Sequence, residues 1–368
     1  MLSHTNSNKI AIQDGKRSIT YGELEIFQQK SPPFYAHNTL ESILYLLKSI
    51  NPFPLSYRLP FAQAREFAQK ETIYPSLLTS GSSGNPKIAQ LTKENLIYSA
   101  LGAIKTFDLN ESDRFLLTLP YFHVGGLAII WRALLSGGTL VIPQSPDFSK
   151  EIICEKITRV SFVPLQLMRL KKRAYPSLRT VLLGGQAMPH NLGSYDLPIW
   201  ISYGMTEMSS VIAAAPWNPN QFLQVLPYRK LKLADDGEIL VGGKTLFAGY
   251  LGEDAPGEWF CTKDIGRLSN QGLQIVGRKD RQFISGGENI QPEEIEAALL
   301  SIPEVQRALV EAKENPKFGM RPIAYLDPFP IVNIREKLEE LLPRFKIPDN
   351  FFPLDREEKS AQLCRNLH

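Results

Sequence analysis

The chain is poor in the features that mark several large classes of protein. Only three cysteines, Cys154, Cys261 and Cys364, occur in 368 residues, and none stands at a metal-ligand or redox-pair spacing from another. Disulfide scaffolds, zinc ribbons and dithiol oxidoreductases are excluded by that usage, which suits a reducing cytoplasm. Charge of one sign is lacking too: 41 basic residues meet 38 acidic ones, a net of +3, which offers no footprint for nucleic acid or an anionic membrane. The run Lys171, Lys172, Arg173 reads as a solvated helix end. Long hydrophobic runs are missing as well. The most apolar stretch, Phe115 to Ile142, is broken by Pro120, His123, Gly125, Gly126 and Arg132, so no membrane span is expected. Met1 to Thr20 has no cationic start followed by an apolar block, and no secretory leader is expected from it. Internal repeats and low-complexity tracts are also absent.

What the sequence does contain is an ordinary globular composition, 43% hydrophobic and 21% charged, in a chain long enough for one large core and a small satellite domain. Apolar runs of strand length alternate with helical periodicity: Tyr74 to Leu78 then Lys93 to Phe107, and Phe115 to Leu119 then Gly126 to Leu135 then Thr139 to Ile142. Arg159 to Val163, Thr180 to Leu183 and Ile199 to Tyr203 read as further buried strands. The alternation predicts an α/β protein with much parallel sheet, in which ligands collect at the carboxyl ends of strands. From about Gln221 short strands and turns suggest a β-rich subdomain. Beyond Arg278, a helix opened by Pro292 with Glu293 and Glu294, a strand at Ala308 to Val310 and a helix at Ile334 to Leu342 suggest a compact α+β tail domain.

Four segments carry chemistry. Thr79, Ser80, Gly81, Ser82, Ser83, Gly84, Asn85, Pro86 and Lys87 follow an apolar strand. Their glycines allow close backbone approach, their hydroxyls and amides can donate to phosphate oxygens, and Lys87 adds charge. No Gly-Lys-Ser/Thr triplet closes the segment, so it is not a Walker loop; the plain alternative is a flexible Ser/Gly turn. Ser202-Tyr203-Gly204-Met205-Thr206-Glu207 also follows a strand. There a carboxylate and a hydroxyl can hold magnesium and a phosphate oxygen while a tyrosine stacks on a base, the alternative being a buried turn capped by Glu207. In Thr262-Lys263-Asp264-Ile265-Gly266 the aspartate can accept both hydroxyls of a ribose, or simply close a turn. Gly277 to Glu296 opens with dense charge and contains the pair Gly286-Gly287, fitting a hinge beside a nucleotide or a solvated inter-domain turn.

The order and content of these four segments resemble the core motifs of the superfamily of acyl-CoA synthetases, luciferases and peptide-synthetase adenylation domains. Within it, Leu119 to Gly126, Ser161 to Leu170, Val181 to Pro189 and Lys317 to Pro322 look like o-succinylbenzoate-CoA ligases. The resemblance implies a large adenylate-forming domain over residues 1–279 and a small mobile domain over 280–368, turning about Asp280. It implies ATP, magnesium and coenzyme A as reactants, with Thr79 to Lys87 on the β- and γ-phosphates and Gly184, Gly185, Gln186 and Tyr203 around adenine. Thr206 would touch the α-phosphate, Glu207 the magnesium, and Asp264 and Arg278 the ribose. His123 would be a mobile aromatic at the acyl pocket, against the alternative of a core histidine beside Phe122, and Ser285, Gly286 and Gly287 would face the pantetheine channel. Arg132 or Arg169 would read a second carboxylate of the acid, a surface ion pair being the alternative for either.

The implied function is conversion of o-succinylbenzoate to its adenylate and then its CoA thioester, in menaquinone biosynthesis. A CoA ligase for another aryl or medium-chain acid and a weakened adenylate-binding homologue stay open beside it, as does oligomerisation. Two departures stand out. Gln362, in Ser360-Ala361-Gln362-Leu363-Cys364-Arg365, occupies the place of the family lysine, which implies impaired adenylation unless Lys359 substitutes. The phosphate segment begins at Thr79, so part of the usual first subdomain is expected to be missing.

Overall fold

The computed structural model describes residues 8–15, 17–21, 23, 76–79, 87–185, 192–218 and 221–354. Its strands are β1 Ile10–Asp14, β2 Arg17–Thr20, β3 Ser76–Thr79, β4 Lys87–Gln90, β5 Arg114–Leu116, β6 Thr139–Ile142, β7 Arg159–Phe162, β8 Thr180–Leu183, β9 Ile199–Met205, β10 Ser210–Pro216, β11 Gln224–Val225, β12 Arg229–Leu233, β13 Glu238–Gly243, β14 Gly249–Tyr250, β15 Trp259–Ser269, β16 Gly272–Arg278, β17 Phe283–Ser285, β18 Glu288–Ile290, β19 Arg307–Asn315, β20 Gly319–Asp327 and β21 Phe351–Pro353. Contact density divides the chain into Met1–Leu231 with Val241–Phe260, and Lys232–Leu240 with Cys261–His368. That division follows compactness, whereas Asp280 was expected as a point of rotation, and the two need not coincide.

In the first unit a nine-stranded sheet runs β11-β10-β9-β8-β7-β5-β6-β1-β2. Its centre, from β6 through β9, is parallel, as the alternation of strands and helices predicts. Thr139, Leu140, Val141 and Ile142 are buried without exception, as are the four residues of β8, because a strand covered on both faces has no polar side to show. The helix Lys93–Phe107 starts on a reciprocal cap: the Asn95 amide donates to the Thr92 hydroxyl and the Thr92 amide to Asn95 Oδ1, both at 2.9 Å. It packs with Val124–Leu135 over a core that includes Leu96, Ala103, Leu127, Ile130 and Leu140. Asp113, wholly buried, anchors the middle of the sheet through Arg159 at 2.9 Å and Thr158 at 2.8 Å.

Several boundaries differ from expectation. The strand read over Phe115 to Leu119 ends at Leu116, because Leu117 to Pro120 turns toward the helix that begins at Val124. Lys171, Lys172 and Arg173 are not a helix end: the preceding helix is Pro164–Met168, and the three cations lie in an exposed bend where Lys171 pairs with Asp147 at 2.6 Å. The helix opening at Ile334 stops at Glu339.

The second unit contains the β15-β16 hairpin and a sheet in which β18, β17, β20 and β19 follow in order, with β21 paired parallel to β20. Its core gathers Ile295, Leu299, Val310, Ala324, Leu326 and Leu338, drawn from the helices Pro292–Leu300 and Ile334–Glu339 and the sheet. The turn between β17 and β18 has positive φ at both central residues, +61° at Gly286 and +91° at Gly287, with Ser285 opposite Glu288. Two such angles in a two-residue turn leave glycine as the favoured choice at both places.

Candidate active site

The first unit brings the expected Thr79 and Lys87 together through β3 and β4, with Tyr250 of β14 beside them. Thr79 and Lys87 are directly paired across the β3-β4 hairpin, and the Thr79 hydroxyl donates to the Lys87 carbonyl at 3.2 Å. They bracket Ser80, Gly81, Ser82, Ser83 and Gly84, which lie outside the described residues. The Lys87 ammonium is 2.8 Å from Glu253 and 4.6 Å from the centroid of the Tyr250 ring. Lys87 and Glu253 are 42% and 49% exposed, so water screens the pair and a polyanion can displace the carboxylate.

Thr206 and Glu207 form a single 3-10 turn after β9. The turn is possible because β9 and β10 approach closely at Gly204, where a Cβ would lie 2.3 Å from the Ser210 carbonyl oxygen. Ser209, at φ +56°, then reverses the chain. The Glu207 carboxylate is buried, 7% exposed, and accepts the Tyr250 hydroxyl at 2.6 Å. Its backbone is held as well: the Phe247 amide donates to the Glu207 carbonyl at 2.8 Å, the Ser209 hydroxyl to Thr245 at 3.0 Å, and the Ser99 hydroxyl to Ser209 at 2.6 Å. One buried carboxylate is the donor set suited to a magnesium ion that arrives on a polyphosphate, since magnesium keeps water and phosphate as its other ligands. No group of three or more His, Cys, Asp or Glu that could hold a metal occurs among the described residues.

At the carboxyl end of β8, Gly184 lies so close to β9 that a Cβ would meet the Ser202 hydroxyl at 2.4 Å, and Ser202 donates to the Leu183 carbonyl at 2.8 Å. Gly184 thus neighbours Ser202, the residue before Tyr203, while Gln186 lies outside the described residues. His123 is exposed at the start of the helix Val124–Leu135, its ring 4.9 Å from that of Phe122, and so is no core histidine.

Arg132 is not on the surface in an ion pair. It is 4% exposed, its Nη2 donates to Ser210 at 3.3 Å, and its Nε has no partner. Arg229, 8% exposed, donates to the carbonyls of Val211, Pro227 and Ser99. Burial brings Arg132 down to about 10, and burial followed by the charge of Arg132 brings Arg229 down to about 9. Arg169 is exposed and has no ion pair among the described residues.

In the second unit, Asp264 and Arg278 are cross-strand partners of the β15-β16 hairpin, joined at 3.0 Å. The same guanidinium grips Asp280 with two bonds, Nε at 3.2 Å and Nη2 at 3.0 Å. Burial alone would lower the Arg278 pKa, but the carboxylates of Asp280 and Asp264 outweigh it and raise it. Lys279 is held by Asp236 at 2.5 Å and Glu238 at 2.7 Å, which raise its pKa. Ser285 is buried and accepts from Arg321 at 3.4 Å. Gln362 and Lys359 lie outside the described residues.

Tyr250 and Glu253 are the groups that the sequence did not point to. The one hint is the aromatic density of Phe247, Tyr250, Trp259 and Phe260 in a turn-rich stretch, which says nothing of a partner at position 207.

The family model for AMP-binding enzymes matches residues 36–251. The chain belongs to the AMP-binding enzymes. Among curated relatives, the 2-succinylbenzoate–CoA ligase of Salmonella typhimurium is 34% identical over 310 residues, covering 80% of this chain and 68% of its own length. That of Haemophilus influenzae is 37% identical over 332 residues, covering 83% and 71%. The solved o-succinylbenzoate CoA synthetase of Bacillus subtilis in complex with the acyl-adenylate intermediate OSB-AMP matches with a TM-score of 0.81 at 25% identity, over 98% of this chain and 95% of that one. Its complex with ATP and magnesium ion matches at 0.79 and 25%, over 96% and 95%. The expected α/β fold agrees with these likenesses.

Proposed function

We propose that the protein is an AMP-forming acid–thiol ligase that activates 2-succinylbenzoate with ATP and passes the acyl group to coenzyme A, the thioester-forming step of menaquinone biosynthesis. The observation that carries this reading is the likeness to 2-succinylbenzoate–CoA ligases over most of the chain, together with the Lys87, Tyr250 and Glu207 grouping at the strand ends.

In the first half-reaction a carboxylate oxygen of the acid bonds to the α-phosphorus and pyrophosphate leaves; in the second the coenzyme A sulfur bonds to the acyl carbon and AMP leaves. Two anions must meet in the first step, so positioning and cationic stabilisation dominate it. Lys87 and the hydroxyls and amides from Thr79 onward hold the β- and γ-phosphates. Thr206 donates to the α-phosphate, and Glu207 is the protein ligand of the magnesium that partly neutralises the polyphosphate. Tyr203, Gly184, Gly185 and Gln186 surround adenine, Asp264 accepts from the ribose with Arg278 beside it, and His123 borders the acid. Asp280 is the point of rotation between the half-reactions, with Ser285, Gly286 and Gly287 toward the pantetheine arm.

The test supplies purified protein with 2-succinylbenzoate, magnesium-ATP and coenzyme A, with benzoate, phenylpropionate and octanoate as competing acids. Thioester and AMP are expected with 2-succinylbenzoate above the others. A clear preference for another acid would replace the substrate assignment. Absence of ATP binding by calorimetry would overturn the enzyme reading.

A further inference from the structure

Tyr250 touches two groups of opposite charge. Its hydroxyl donates to Glu207 Oε1 at 2.6 Å, within the range of a charge-assisted O–H···O⁻ bond. The face of its ring lies 4.6 Å from the Lys87 ammonium, inside the reach of a cation–π attraction. The Lys87 ammonium pairs with Glu253 at 2.8 Å.

The position of the ring is overdetermined. Tyr250 lies opposite Ala89 in the β14-β4 pairing, and the amides of Ala248 and Leu251 close that ladder on Gln90 at 2.8 Å and Ile88 at 2.9 Å. Lys87 is two residues from Ala89 on the same face of β4, so the ring meets it diagonally across the pair. On its other side the ring packs edge-on against Phe247 at 4.9 Å and Phe260 at 6.3 Å. The amide of Phe247 in turn holds the backbone of Glu207.

We propose that Tyr250 is a positioning residue of the adenylation step: its hydroxyl fixes the Glu207 carboxylate in one orientation, and its ring prevents Lys87 from collapsing onto that carboxylate. Without the ring the ammonium and carboxylate would neutralise one another, and neither would serve the polyphosphate. The proposal rests on the reading of Glu207 and Lys87 given above, and deepens it.

Magnesium dependence separates this role from a merely structural one. Calorimetric titration of ATP, without acid so that nothing turns over, is run at graded magnesium on the full chain and on Tyr250→Phe, Glu207→Gln and the double variant. Tyr250→Phe keeps the ring and is expected to raise the magnesium concentration for half-maximal ATP binding about tenfold, the scale of one hydrogen bond to a charged group. Thioester formation from preformed acyl-adenylate should be affected less than the magnesium dependence, because Glu207 serves the polyphosphate step. The double variant should be no worse than Glu207→Gln alone, because the hydroxyl acts only through the carboxylate. Tyr250→Leu removes the ring as well and should also weaken ATP binding at saturating magnesium.

Unchanged magnesium dependence in Tyr250→Phe while Glu207→Gln shifts it would overturn the proposal and leave the role of Glu207 standing. No shift in Glu207→Gln would overturn the underlying assignment instead. Additive effects in the double variant, or equal losses in both half-reactions with a lowered melting temperature, would reduce Tyr250 to a packing residue.

Discussion

Replacing Gly204 by alanine probes the close approach that delivers Thr206 and Glu207. The added Cβ would stand 2.3 Å from the Ser210 oxygen, 2.8 Å from the Ser210 carbonyl carbon and 2.9 Å from Val211 Cα, all backbone atoms that cannot rotate away. Reaching an ordinary contact needs a shift of roughly 1 Å between β9 and β10, an overpacking that commonly costs about 1–3 kcal/mol. Melting temperature should fall by a few degrees, about 2–4 °C per kcal/mol in proteins somewhat smaller than this one. The larger effect is expected on activity, because Glu207 is only three residues further along and a misplacement of about 1 Å can cost ~100-fold in rate. Pyrophosphate release with acid and magnesium-ATP reports it. Gly257→Ala is the matched control, since a Cβ there meets nothing within 4 Å. If Gly204→Ala were as stable and as active as Gly257→Ala, the claim that backbone proximity sets the Glu207 position would be wrong.

Arg132→Met should raise stability or leave it unchanged, because it removes a buried cation with one weak hydrogen bond and relieves Arg229; such replacements are often neutral or stabilising by about 1–4 kcal/mol. Denaturant melts at neutral pH should place Arg132→Met at or above the parent, and a clearly lower midpoint would refute this. Asp264→Ala should raise the KM for ATP about tenfold, as expected for loss of hydrogen bonds to a charged acceptor, with thioester formation from preformed adenylate less affected; equal KM values would remove Asp264 from the ribose. Gln362→Lys should accelerate the ATP-driven half-reaction by about 100- to 1,000-fold, the usual worth of one transition-state donor, while thioester formation from preformed adenylate stays unchanged. Equal parent rates by both routes would show that Gln362 is no handicap.

Local signals were legible in the sequence. The helix Lys93–Phe107 and the helix Pro292–Leu300 fall where periodicity and a proline at the first helical position put them. Thr139–Ile142 and Thr180–Leu183 were readable as short apolar runs between turns. Asp264 and Arg278, which the resemblance put on one ribose, are direct partners in the register of β15 with β16. What could not be read was set by distant contacts. Arg132 sits among apolar residues on its helix, yet only the fold shows that Ser210 and Arg229 lie beside it instead of water. Tyr250 escaped notice because its partner is 43 residues away, and no local pattern couples the two positions. The helix after Asn333 was read too long because Leu341 and Leu342 continue the apolar spacing although the helical bonds have ended.

The polar stitching around Glu207 limits what can be transplanted. Asn95 holds Lys244, Ser99 holds Ser209, Ser209 holds Thr245, and Phe247 and Tyr250 hold the glutamate itself. A six-residue signature grafted onto a foreign sheet would carry the acid without the three stretches of chain that aim it. Engineers wanting this half-site in another scaffold must therefore import everything from the first of those helical residues through the tyrosine, or rebuild each stitch by design.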